Sequence, residues 1–147
     1  MKEKIPITME RVNVYDTNRD KEQIITKEYL EANPNHIFVF GDNLLRKGTG
    51  GAAKLRDMKN TYGFITKKSP GWEDKDFYKP EEYTSVYVSE INKLIKEIKY
   101  HQANFQTLFL ISKAGAGLAN RFGIWEEIIE PTIKKHLGIY DNVKFLW

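Results

Sequence analysis

The sequence predicts an α/β domain built on a mostly parallel sheet, and three observations predict it. Two short, almost wholly apolar runs, Ile37-Phe-Val-Phe40 and Thr107-Leu-Phe-Leu-Ile111, suit strands buried on both faces. A long amphipathic helical pattern starting at Pro80 lies between them. Strand and helix patterns alternate along the chain, and that alternation implies layers packed on a parallel sheet.

The elements follow in order. Met9 to Tyr15 reads as a strand in which Val12 and Val14 alternate with polar neighbours, and Asp16 to Asp20 reads as a loop. Thr26 to Ala32 reads as a short helix capped by Thr26 and stopped at Asn33-Pro34-Asn35. The buried run Ile37–Phe40 leads into a loop from Gly41 to Gly51 that holds four glycines. A helix over Ala52–Asp57, a short strand over Phe64–Thr66 and a long polar loop from Lys67 to Lys79 come next. Within that loop, Phe77 and Tyr78 are expected to be exposed aromatics, forming an interface or a lid. Pro80 to Tyr100 is the firmest helix. Pro80 suits the first helical position, Glu81 and Glu82 suit the positive end of the dipole, and Tyr83, Tyr87, Ile91, Leu94 and Ile98 share one face. A buried strand to Ile111, a second glycine-rich loop over Gly115–Asn120, a helix over Ile124–Leu137 that Pro131 must kink or restart, and a strand over Val143–Trp147 complete the chain.

The length of 147 residues favours one domain spanning 1–147 and suffices for a core without staples. No cysteine is present, which excludes disulfides, thiolate nucleophiles and Cys-based metal sites. The start of the chain has no apolar stretch behind its charges, so no leader is expected, and the expected location is the cytoplasm. No run approaches the ~20 apolar residues of a membrane span. His36, His101 and His136 lack metal-ligand spacing, so surface or capping roles are expected and no metal or cofactor. The net charge of +3 is too small and too interleaved for a nucleic-acid stripe, but it favours a phosphate-bearing ligand.

Three segments carry candidate chemistry by their residue types. In Gly41-Asp-Asn-Leu-Leu-Arg-Lys-Gly48-Thr-Gly50-Gly51-Ala52, the glycines let backbone amides approach a phosphate, and the following helix adds its N-terminal amides. Asn43, Gly48, Thr49, Gly50, Gly51 and Ala52 are the candidate ligand contacts. This is neither a P-loop nor a dinucleotide fingerprint. Ser112-Lys113-Ala-Gly115-Ala116-Gly117-Leu118-Ala119-Asn120 repeats the context after the next buried strand. In a parallel sheet both loops fall on one edge and face one pocket, which suits a diphosphate. Thr66 and Lys67 end the strand between them. Lys67 is either a counter-charge or, when desolvated, a nucleophile of lowered pKa. Asp42 is either an acid–base group or a turn former.

Asn43–Ala53, Phe64-Ile-Thr-Lys67-Lys68 with Lys79-Pro80-Glu81-Glu82-Tyr83, and Lys113-Ala-Gly115-Ala-Gly117-Leu118 with Trp125-Glu126 together resemble the macrodomain superfamily. The likeness is greatest to the branch of terminal ADP-ribose protein glycohydrolase and the antitoxin macrodomains that strip ADP-ribose from DNA. It runs from about Phe38 to Trp147, and residues 1–35 have no clear counterpart. It implies a three-layer α/β/α sandwich with ADP-ribose in a cleft and Lys67 attacking the distal ribose. It further implies Phe122 packed on that ribose and an acidic residue, Asp16, receiving the adenine amine. Ala119 stands where the glycohydrolase has a catalytic aspartate, a residue the antitoxin branch also lacks. The expected partner is an ADP-ribose-type small molecule. The expected activity is binding with or without hydrolysis through Lys67. The alternatives are a sponge for a nucleotide immune signal and a reader of ADP-ribosylated protein or nucleic acid.

Overall fold

The structure, a computed structural model, describes residues 23–104 and 107–147. Helix α1 (Lys27–Ala32) is capped by Thr26, whose hydroxyl accepts the Tyr29 N–H at 3.1 Å. Four strands follow: β1 (His36–Asn43), β2 (Thr61–Lys67), β3 (Leu108–Ile111) and β4 (Val143–Phe145). They form one sheet in the order β2-β1-β3-β4, and every pairing is parallel. Between β2 and β3 runs helix α2 (Pro80–Asn104). A π-helical turn (Trp125–Ile129) and helix α3 (Ile133–Leu137) connect β3 to β4. The expected strand at Met9–Tyr15 and the expected adenine contact Asp16 lie outside the described residues.

Two separate cores cover the two faces of the sheet. Val39, Phe109, Ile111 and Val143 pack with Tyr83, Tyr87, Ile91, Leu94 and Ile98 of α2 and with Ile124, Ile129, Ile133 and Leu137. Phe38, Phe40, Leu108 and Leu110 point the other way, onto Ile25, Tyr29, Leu30, Leu55 and Leu146. This is the period-2 alternation of a strand buried on both faces, and it gives helix, sheet and helix as three layers. Each fully buried α2 side chain contributes on the order of 1.5–3 kcal/mol, so packing rather than helix propensity holds α2 in place.

Several elements differ from expectation, each for a local reason. Strand β1 continues through Gly41, Asp42 and Asn43, which pair with Phe64, Ile65 and Lys67 of β2. The expected α-helix over Ala52–Asp57 is a 3₁₀ helix over Gly51–Leu55 with no side-chain cap at Gly50. One and a half turns without a cap favour the tighter i→i+3 bonds. The helix over Ile124–Leu137 restarts after Pro131, as expected, but its first part is a π-helical turn rather than an α-helix. Pro131 has no N–H to donate, the turn before it widens so that the Glu130 N–H reaches the Trp125 carbonyl, and the Thr132 hydroxyl donates to the Ile128 carbonyl at 2.8 Å. Phe77 and Tyr78 are buried, not an exposed interface or lid. His36 is also buried, with its Nδ1 2.8 Å from the Tyr29 hydroxyl.

Candidate functional site

The connections leaving the carboxyl ends of β1 and β3 run to opposite sides of the sheet, one to β2 and the other to β4. In parallel sheets the crevice beyond such a switch point is where ligands bind. A cleft of about 950 Å³ lies there, walled by both glycine-rich loops. Its lining brings together Asp42, Asn43, Gly48, Thr49, Gly50, Gly51, Ala52, Thr66, Lys67, Lys113, Gly115, Ala116, Gly117, Leu118 and Ala119. Phe38 and Leu55 contribute apolar surface, and Gln23 to Glu28 add a wall at the start of α1.

The first loop is held by its own polar side chains. Asn43 donates from Nδ2 to the Lys47 carbonyl at 2.6 Å and accepts the Leu45 N–H at 3.1 Å, which sets the turn. Arg46 adopts a left-handed φ of 56° within it. The buried Asp42 carboxylate pairs with Arg56 across the loop and with Arg46 at 3.2 Å, and it also accepts the Asn43 N–H at 2.8 Å. Arg56 reaches on to the Lys47 carbonyl at 3.2 Å. Both oxygens of Asp42 are thus engaged, and the residue pins the loop.

The second loop is seated by close backbone approach. The Ser112 hydroxyl donates to the Val39 carbonyl at 2.6 Å, locking the end of β3 to β1. A Cβ at Gly41 would stand 3.1 Å from the Thr66 hydroxyl and 3.5 Å from the Gly115 nitrogen, so the glycine there lets β1, β2 and the second loop converge. Gly115 has φ +95° and faces Ile129, whereas a Cβ at Gly117 would meet nothing within 4 Å.

Asn120 and Phe122 do not join the residues lining the cleft. Asn120 accepts the Trp125 N–H at 2.9 Å and donates to the Glu126 carboxylate, so it caps the π-helical turn. Phe122 lies against the Lys79 ammonium at 5.7 Å.

Lys67 sits at the cleft end of β2 with 9% of its surface exposed. Its ammonium donates to the Gly71 carbonyl at 2.7 Å and lies 4.8 Å from the Trp72 ring and 4.3 Å from the Phe77 ring. Burial is the main force lowering its pKa; Asp76 opposes the shift and Arg121 adds to it. Lys27, Lys47, Lys54, Lys67 and Lys113 surround the cleft against the acids Glu28 and Asp42, and Asp42 is already matched by two arginines. The field inside therefore favours an anion. Trp72, absent from the expected site residues, also lines the cleft; an isolated tryptophan between Gly71 and Glu73 has no periodic partner to flag it.

Residues 20–121 match the model of a family of unknown function (DUF7831). The chain belongs to that family. The matched segment carries β1, β2, α2, β3, both glycine-rich loops, Lys67 and Trp72. No curated protein and no solved structure matches the chain.

Proposed function

We propose that the chain binds ADP-ribose, or a nucleotide derived from it, in the cleft between its glycine-rich loops. One observation carries this reading: both loops leave adjacent parallel strands at the switch point of the sheet, with five lysines around them. Glycine backbone and lysine charge suit a diphosphate. The apolar surface of Ile24, Phe38 and Leu55 suits a purine ring. The likeness of the three quoted segments to macrodomains is the reason for choosing ADP-ribose over another nucleotide, and a nucleotide ligand of this kind makes the cytoplasm the proposed place of action.

Holding the ligand is the primary role. Asp42 is committed to arginines, and Ala119 offers no base where a glycohydrolase would need one. Sequestration of a nucleotide signal fits such a site. The lowered pKa of Lys67 favours a second reading, nucleophilic attack on the distal ribose.

Calorimetric titration with ADP-ribose, followed by analysis of the mixture for breakdown products, tests both. Saturable binding is expected, and Gly117→Val should weaken it by roughly tenfold or more, since the added side chain enters open cleft rather than packed core. Loss of binding in Lys67→Ala without products in the wild type marks a counter-charge. Products in the wild type that vanish in Lys67→Ala mark an enzyme. Tight binding only to ADP-ribosylated protein or nucleic acid would make the chain a reader. No binding to any of these ligands would overturn the proposal.

A further inference from the structure

Trp72 leaves 60% of its surface exposed, yet it stands on a segment that is tied down at several points. The Asp76 carboxylate accepts the Ser69 hydroxyl and, at 2.9 Å, the Glu73 N–H. The Lys68 N–H donates to the Asp76 carbonyl at 3.0 Å, and Lys67 pairs with Phe77 as an antiparallel bridge. Arg121, just beyond the second glycine-rich loop, grips Asp74 at 3.0 Å. The indole meets Phe77 only at a tilt, with ring centroids 6.4 Å apart. A large aromatic surface held in place beside a cleft, but not covered, is preorganised for a planar ligand group.

Its position says which part of the ligand it would meet. Lys67 and Trp72 stand at the β2 side of the cleft. Gln23, whose N–H donates to the Leu146 carbonyl at 2.7 Å, marks the β4 side, with Ile24 beside it. Three strand spacings separate the two ends, roughly 14 Å. With the diphosphate between the loops after β1 and β3 and the purine towards Ile24, the distal sugar lies towards Lys67. A group carried on that sugar then reaches Trp72.

We infer that Trp72 is a specificity residue that stacks on a neutral planar ring borne on the distal anomeric carbon of the ADP-ribose unit. The ligand class is thus a ring-bearing ADP-ribosyl compound rather than free ADP-ribose. Neutrality is favoured because the Lys67 ammonium already lies 4.8 Å from the indole and repels a cationic ring. The inference rests on the nucleotide reading above.

Parallel titrations of the full chain with ADP-ribose and with NADH test it, NADH being ADP-ribose with a neutral dihydropyridine ring on that carbon. Wild type is expected to bind NADH about tenfold more tightly than ADP-ribose, in keeping with ring stacking on an indole. Trp72→Ala should abolish that difference, whatever its effect on ADP-ribose itself, and Trp72→Phe should restore most of it. Equal affinities in the wild type, or an NADH advantage that survives in Trp72→Ala, would overturn the role of Trp72 and leave the nucleotide reading standing. Failure of wild type to bind ADP-ribose and NADH would overturn both.

Discussion

Gly115 and Gly117 stand two residues apart in one loop, but the structure asks different things of them. Gly115 has a left-handed φ of +95°, and a Cβ would press on the Ile129 side chain. Gly115→Ala should therefore cost about 1–3 kcal/mol of stability through backbone strain and crowding. Gly117→Ala should stay within about 0.5 kcal/mol of wild type. Urea denaturation of the two variants checks the contrast, and equal losses would contradict it. At this scale the sequence was only partly legible. The glycines signalled close approach, but not which of them serves the fold and which borders open space. The pairing of Asp42 with Arg56 spans fourteen positions and leaves no local pattern, so the sequence favours a turn former at Asp42 over an acid–base group but does not reveal the ion pair. Trp72 has no periodic partner, so the only signal available for it is its composition context, a tryptophan in a polar, glycine-bearing loop with no core face of its own.

The segment between Lys67 and Lys79 depends for its order on one ionised group, Asp76. The Ser69 hydroxyl and the Glu73 N–H donate to the Asp76 carboxylate and hold its pKa below the ordinary value, with Lys75 and Lys67 adding to the effect. A carboxyl of depressed folded pKa contributes stability that is complete above its unfolded pKa of about 3.9 and is lost as pH falls through the lower folded value. The loop should thus loosen as the solution is acidified below about pH 4. Protection of the Glu73 amide against hydrogen exchange, relative to its intrinsic rate, should fall in that range, and Asp76→Asn should already show the lowered protection at neutral pH. A variant with the wild-type profile would remove Asp76 from this role. Elements in general were legible where burial was continuous. The runs of β1 and β3 stand out because they are continuously apolar, and the face of α2 because it repeats one period over several turns. The 3₁₀ helix and the π-helical turn are legible as helical stretches but not by type, because each is a single short turn shaped by a missing cap or by Pro131.

Among the described residues, the outer edge of β2 is closed by side chains rather than by another strand. Glu90 of α2 accepts the Ile65 N–H at 2.8 Å, the Tyr83 hydroxyl donates to the Ile65 carbonyl, and Arg46 donates to the Gly63 carbonyl at 2.8 Å. An open strand edge invites pairing between molecules. Glu90→Ala should cost about 1–3 kcal/mol and promote self-association at high concentration. Thermal denaturation and light scattering measure the two effects, and a stable, monodisperse variant would show that the edge needs no such cover. The strand order β2-β1-β3-β4 was not legible, because alternation gives the layers but not which strands become neighbours. That order has a consequence for how the molecule is made. β1 and β3 are partners in the sheet, yet all of β2 and α2 separates them along the chain. No hairpin can bring them together early, and such long-range parallel pairing is slow. On the ribosome, the two walls of the cleft first meet only after residues near Leu108 to Ala119 have emerged. A nascent chain therefore holds only one wall of the cleft until that point, and a ligand that bridges the two walls should stabilise the finished fold by an amount that grows with the logarithm of its concentration.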